Sequence, residues 1–277
     1  GGQIRKRVGF LLILCSAVII GSGGSAGREG PIAQIGASFG SLIGQIFRLR
    51  SGDLKLLTVC GVAAGIAGTF NAPMGGAIFS MEVVARRFSP FDSVPILMSA
   101  VVGAAVAAAL TAPTPAFFNP EFVFSTTDLA LCFLLGPIFG ALAFAWVKFF
   151  YLVEDAFEAL NIPKMLKPAA GGIVAGVSGY YLFGYGLMGV GYDGITRIFE
   201  MESFPVFSDA VLLLIALGLL KILATSFTVG SGGSGGIFAP SLYIGFMFGV
   251  AFGLFADAFL PGLNTASPTV YGLLGMA

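Results

Sequence analysis

The chain has 277 residues, of which 57% are hydrophobic and only 10% charged. Soluble domains carry roughly 25% charge, so this composition excludes a chain that covers itself with polar surface. Formal net charge is zero and histidine is absent, which argues against a nucleic-acid partner and removes the usual metal ligand and general base. Windows without a single charge run over 8–27, 56–81, 93–120, 129–147, 168–192 and 222–256. Most reach the roughly 20 apolar residues needed to cross a bilayer. The fold expected is therefore an all-α integral membrane protein.

In chain order, apolar helical segments are predicted at 8–22, 30–47, 54–69, 74–86, 94–111, 128–158, 167–184, 209–226 and 237–258, with another starting at 268. Gly- and Pro-rich breaks separate them, as at Asn71-Ala72-Pro73 and between Pro113 and Pro120. Segment 74–86 is too short to cross unaided, a trait of transporters built on broken helices. Basic clusters at Arg5 to Arg7, at Arg48, Arg50 and Lys55, and at Arg86 and Arg87 follow successive pairs of segments, placing them on the cytoplasmic side. Cys15, Cys60 and Cys132 lie in apolar runs without CxxC spacing, so they read as small packing residues. No cofactor or metal is expected.

An internal echo is the most informative feature. Residues 21–31 read GSGGSAGREGP and residues 230–240 read GSGGSGGIFAP, both fitting GSGGSxGxxxP between apolar helices. Two homologous halves are expected, 1–126 carrying the end of a first repeat and 127–277 the start of a second. Aligning them leaves about 80 residues wanting upstream and about 60 downstream, so both ends read as cuts within the fold.

The motif suits an anion. Glycines let the backbone bend and expose N–H groups, and a proline in the next helix's first turn removes a donor the helix does not use. The helix start then presents free N–H groups and a positive dipole end. Partial charges hold an anion weakly enough to release it. A dinucleotide reading of Gly230, Gly232, Gly235 and Asp257 needs a preceding strand, whereas 209–226 is an apolar run of near-spanning length.

GREGP at 27–31, QIGASFG at 34–40, FNAP at 70–73 and GGIFAP at 235–240 resemble the CLC family of chloride channels and chloride/proton antiporters, in that family's order. The resemblance implies an inverted-repeat bundle of short, broken and tilted helices. It implies that Glu29 is the gating glutamate and that backbone amides around Arg28 to Gly30 and Ile237 to Ala239 bind the anion, with Phe238 lining the pathway. A carboxylate among anion-binding amides is a tethered competitor of chloride, and intramembrane acids are usually functional. Arg28 either raises the local potential or tethers the loop. Ser22, Ser25, Ser231 and Ser234 either donate to the ion or stabilise the turns.

Proton-coupled relatives carry an inner glutamate after FNAP. Here FNAPMGGAIFSMEVV places Glu82 at the preceding position and Val83 at the inner one, and valine carries no proton. A gated passive channel is the expected function, with a chloride/proton antiporter as the alternative and an intramembrane enzyme or nucleotide-binding protein as a remote one; no catalytic activity is expected. Glu82 is expected to pair with Arg86 at i,i+4. The resemblance further implies a homodimer of the complete protein, and the short loops favour a prokaryotic plasma membrane. Nitrate, bromide and fluoride stay open as alternatives to chloride.

Overall fold

Apolar runs bounded by glycine and proline fold as helices because only helices satisfy their own backbone in lipid. The computed structural model describes residues 2–111, 125–182, 184–201, 207–260 and 266–277. In chain order these form α1 (Arg7–Gly21), α2 (Glu29–Ile46), α3 (Ser51–Phe70), α4 (Pro73–Phe79) continuing as a π-helical turn (Ser80–Ala85), α5 (Pro90–Leu110), α6 (Thr126–Ala159), α7 (Lys167–Tyr181), α8 (Tyr192–Phe199), α9 (Phe207–Gly230), α10 (Phe238–Phe259) and α11 (Pro268–Met276). Helices α3, α5, α6, α9 and α10 are long and apolar enough to cross a membrane. Among the described residues the only β-type pairing is one isolated bridge. The break expected at 71–73 is built by Asn71, left-handed at φ 51° as the cap of α3, and by Pro73 at the start of α4.

The chain divides into two units, Gly1–Val18 with Arg28–Phe117 and Ile19–Gly27 with Phe118–Ala277. In the first unit, α2 lies on α3 through Gly36, Gly40 and Gly44. A β-carbon at Gly36 would strike the Gly61 carbonyl, and one at Gly40 the Leu57 carbonyl. Small residues let helices approach closely where lipid supplies no hydrophobic drive. The core beyond this contact is equally fine-grained, with Ala63, Ala67, Ala77, Ala100 and Ala104 around Cys60 and Ile96. The amino-terminal segment docks on α2, where Ser41 Oγ donates to Gly2 O and Gln45 Nε2 to Ile4 O. Lys6 and Arg48 line one 660 Å³ cavity with Gln3, Gln45 and Ser51, so two of the basic clusters meet at one end of this unit.

In the second unit the same construction recurs. Gly245, Gly249 and Gly253 pack α10 on α11, where added β-carbons would strike the Gly275 and Tyr271 carbonyls and the Pro268 backbone. Each of these glycines lies 209 residues after Gly36, Gly40 or Gly44, the same offset as the two hinge motifs. Helix α6 begins with a capping box between Ser125 and Asp128. The Asp128 carboxylate is fully buried. It accepts from Tyr271 Oη at 2.6 Å and Ala266 N at 2.9 Å, tying α6 to α11.

One expected ion pair is replaced. The chain enters the π-helical turn at Ser80 and Arg86 takes a left-handed φ of 54°, which removes it from i,i+4 register with Glu82. Among the described residues the ion pair here is Arg87–Asp92 at 2.8 Å. The dinucleotide reading also fails structurally, because Gly230 ends a 24-residue helix instead of a strand.

Candidate functional site

The hinge after α1 and the hinge after α9 are built identically, and both belong to the second unit. Gly23 and Gly232 are left-handed, at φ +97° and +99°, a backbone that costs glycine nothing. In the first hinge Gly23 N donates to Ile20 O and Gly24 N to Ile19 O; in the second, Gly232 N donates to Val229 O and Gly233 N to Thr228 O. These are the paired bonds of a Schellman closure, which satisfy the last carbonyls of a helix. Ser22 Oγ adds a bond to Ile19 O, and Ser231 Oγ the matching one to Thr228 O. The serines thus stabilise the turns.

The two hinges are joined to each other. Gly27 N donates to Gly236 O at 2.6 Å and Gly236 N to Gly27 O at 2.7 Å, an antiparallel bridge. These residues hold the same position in the two motifs, and a reciprocal contact between equivalent positions is what a local two-fold relation produces. Around the bridge, Ser25 N donates to Thr228 Oγ1, Ser25 Oγ bonds Thr225 Oγ1 at 3.0 Å, and Ala26 N donates to Gly189 O. Ser25, Ala26 and Gly27 are buried. Irregular backbone at membrane depth persists when its polar groups find such partners.

A helix starts two residues after each arm of the bridge. Helix α2 has Arg28 as its N-cap at φ −83°, ψ −12°, and α10 has Ile237 at φ −96°, ψ −6°. Neither start has a side-chain cap bond. The first bonds in are again equivalent, Ile32 N to Arg28 O and Ser241 N to Ile237 O, both 2.9 Å. Each start therefore has first-turn amides that no capping side chain takes, at the positive end of the helix dipole.

The predicted site residues fall on these starts. In the first unit Glu29 opens α2 with its side chain 2% exposed, next to an exposed Arg28 and a half-buried Gly30. In the second, Ile237 and Phe238 are about two-fifths exposed at the head of α10, and Ala239 is fully buried. Val83 lies on the π-helical turn of the first unit with an exposed side chain.

Sequence reasoning passed over Lys221, Thr225 and Thr228 on α9 and the glycine-rich loop at 184–191. The signal for Lys221 was available: a lone charge inside an apolar run of near-spanning length is functional by default. Nothing in the sequence marked the two threonines, whose partners lie about 200 residues away.

A family model described as voltage gated chloride channel matches residues 1–277. Uncharacterized protein MJ0305 of Methanocaldococcus jannaschii is 35% identical over 278 residues, covering 97% of this chain and 68% of its own length. The H(+)/Cl(-) exchange transporter ClcA of Vibrio parahaemolyticus is 32% identical over 262 residues, or 93% of this chain and 55% of its own. The crystal structure of a slow cyanobacterial Cl-/H+ antiporter superimposes with a TM-score of 0.82 at 26% identity, over 98% of this chain and 62% of that one. The chain thus spans somewhat more than half the length of both the transporter and the antiporter. With a family match from end to end and the same all-helical fold, this chain belongs to the voltage gated chloride channel family, CLC.

Proposed function

We propose that the protein moves chloride across a membrane in exchange for protons. The observation that carries the transport reading is the pair of hinges, each closed by the same backbone bonds and each followed by a helix start without a side-chain cap. In this reading the amides of Arg28 to Gly30 and of Ile237 to Ala239 bind the anion, and Phe238 lines its path. Such dipoles act on chloride without the grip of a full charge. Glu29 is the gate. At the head of α2, with its side chain buried, it competes with chloride for the amides that begin that helix.

The passive channel expected from Val83 yields to the antiporter as the preferred reading. The Vibrio relative is named an exchange transporter and the cyanobacterial structure is titled an antiporter. Val83 still favours the channel as the second reading, because its side chain holds no proton. The complete protein is proposed to be a homodimer in a prokaryotic plasma membrane, with residues 1–126 and 127–277 contributing parts of two repeats.

Proteoliposomes loaded with chloride and a pH dye test the proposal. An imposed proton gradient should drive chloride uphill. Chloride flux without any proton movement would return the channel reading, and no chloride flux at all would overturn transport.

A further inference from the structure

The end of α2 remote from Glu29 carries a second concentration of charge. Helix α2 has 18 residues, so its last turn lies about 25 Å from the anion site. There Lys6 and Arg48 line the 660 Å³ cavity, and Lys6 with Arg5 and Arg7 lines a second one of 810 Å³ that shares Gln3 and Gln45 with the first. All four basic side chains are exposed, and among the described residues none of them forms an ion pair. Asp53, the nearest acid to Arg48 in sequence, lines neither cavity. Like charges gathered around a concavity focus a positive potential into it.

The walls are fastened to α2 and α3. Ser41 Oγ accepts from Ile4 N and donates to Gly2 O, and Thr58 Oγ1 donates to the same carbonyl. Gln45 Nε2 uses both its donors on Ile4 O and Ser41 Oγ, so it braces the segment that carries Lys6. Arg48 is the most informative residue. It is the C′ residue of a Schellman closure, in which Arg48 N donates to Gln45 O and Leu49 N to Gly44 O, and its φ is 51°. Glycine is the usual occupant of that position because a β-carbon is disfavoured there. An arginine at such a place is retained for its side chain. Attraction to the carboxyl end of the helix dipole would account for Arg48 alone, not for Lys6 on a different segment. Nor are the two charges part of the duplicated scaffold, since the positions 209 residues on are Ile215 and Asp257.

We infer that this cavity is a binding site for a phosphate group, held by Lys6 and Arg48. A guanidinium meets two phosphate oxygens as a fork, and an ammonium adds a point charge beside it. The surroundings favour a phosphate carried by a lipid. Leu11 lines the second cavity and is exposed, as are Ile43, Ile46 and Phe47 along the end of α2, so acyl chains find apolar surface next to the charge. The basic excess puts this end of the unit in the cytoplasmic leaflet, where basic pockets between helices take anionic headgroups. The site is remote from the chloride path and does not rest on the transport reading.

The test follows thermal unfolding of the detergent-solubilised complete protein with dioctanoyl phosphatidylglycerol, dioctanoyl phosphatidylcholine or inorganic phosphate. A ligand of the folded state raises the midpoint by an amount set by its concentration relative to Kd. Phosphatidylglycerol should raise it, with apparent affinity lowered roughly fivefold by Lys6→Gln or Arg48→Gln and roughly 25-fold by both together, about what each basic side chain contributes at an anionic surface. Arg48→Gly should lose as much affinity as Arg48→Gln, and because glycine suits the Schellman closure its loss cannot come from a disturbed helix end. Arg50→Gln combined with Arg86→Gln removes the same charge outside both cavities and should leave the affinity nearly unchanged. Inorganic phosphate as effective as phosphatidylglycerol would keep the site and replace the lipid by free phosphate. Equal stabilisation by phosphatidylcholine, an equal loss in the Arg50 and Arg86 double variant, wild-type affinity in Arg48→Gly, or no stabilisation by any of the three compounds would each overturn the inference.

Discussion

The two hinge-and-helix copies, 19–46 and 228–259, differ in side chains and hardly at all in backbone. Both close α1 and α9 with the same two bonds, hold the left-handed glycine within 2° of φ, and start the next helix from the same N-cap conformation. Both then pack on the following helix through glycines at matching positions. The chemistry is confined to one residue trio: Arg28-Glu29-Gly30 in the first copy stands where Ile237-Phe238-Ala239 stands in the second. Duplication has preserved the dipoles, which need only backbone. The ionisable side chains, by contrast, are not duplicated: Glu29 stands opposite Phe238, and Lys221 opposite Leu12.

The largest test of that division removes the one acid. Glu29→Gln in the complete protein should abolish proton movement while chloride flux continues, measured in the same vesicles by dye and chloride electrode. Coupling that survives the change would place the proton pathway elsewhere. Next in size is a matched pair of packing changes, Gly40→Val and Gly249→Val. Each β-carbon would strike a carbonyl of the facing helix, so each should cost about 3 kcal/mol or prevent folding. Stability in detergent that falls for one copy alone would break the equivalence. A smaller effect tests a bond within the second unit. Asp128→Ala strips the acceptor from Tyr271 Oη and Ala266 N in a buried place, and should cost about 2–3 kcal/mol in unfolding measurements. Asp128→Asn should recover part of that by keeping one acceptor.

Much of this architecture was legible in the sequence. Every predicted helix is present, with ends displaced by a few residues, because charge-free runs ended by glycine, proline or asparagine leave few alternatives. The hinge pattern was legible for a similar reason: Gly23 and Gly232 satisfy a backbone demand that few residues meet. Helix α8 was missed because eight residues carrying Asp193 and Arg197 make no apolar run. The Glu82–Arg86 pair failed because a π-helical turn shifts register, and register is invisible to spacing. The partners of Ser25 were out of reach for another reason, since they depend on which distant segments the fold brings alongside.

The smallest prediction compares one bond in two settings. Ser22 Oγ donates to Ile19 O and Ser231 Oγ to Thr228 O, yet Ser22 is exposed while Ser231 is 3% exposed. In both cases the carbonyl keeps a second donor, Gly24 N or Gly233 N, so removing the hydroxyl strands no acceptor. At position 22 water can replace the lost bond, and Ser22→Ala should cost only a few tenths of a kcal/mol. At position 231 no water is within easy reach, so Ser231→Ala should approach about 1 kcal/mol. Unfolding of the two variants side by side isolates burial as the variable, because backbone geometry and bond length are matched. Equal losses would mean that the first hinge is as dry as the second in the complete protein.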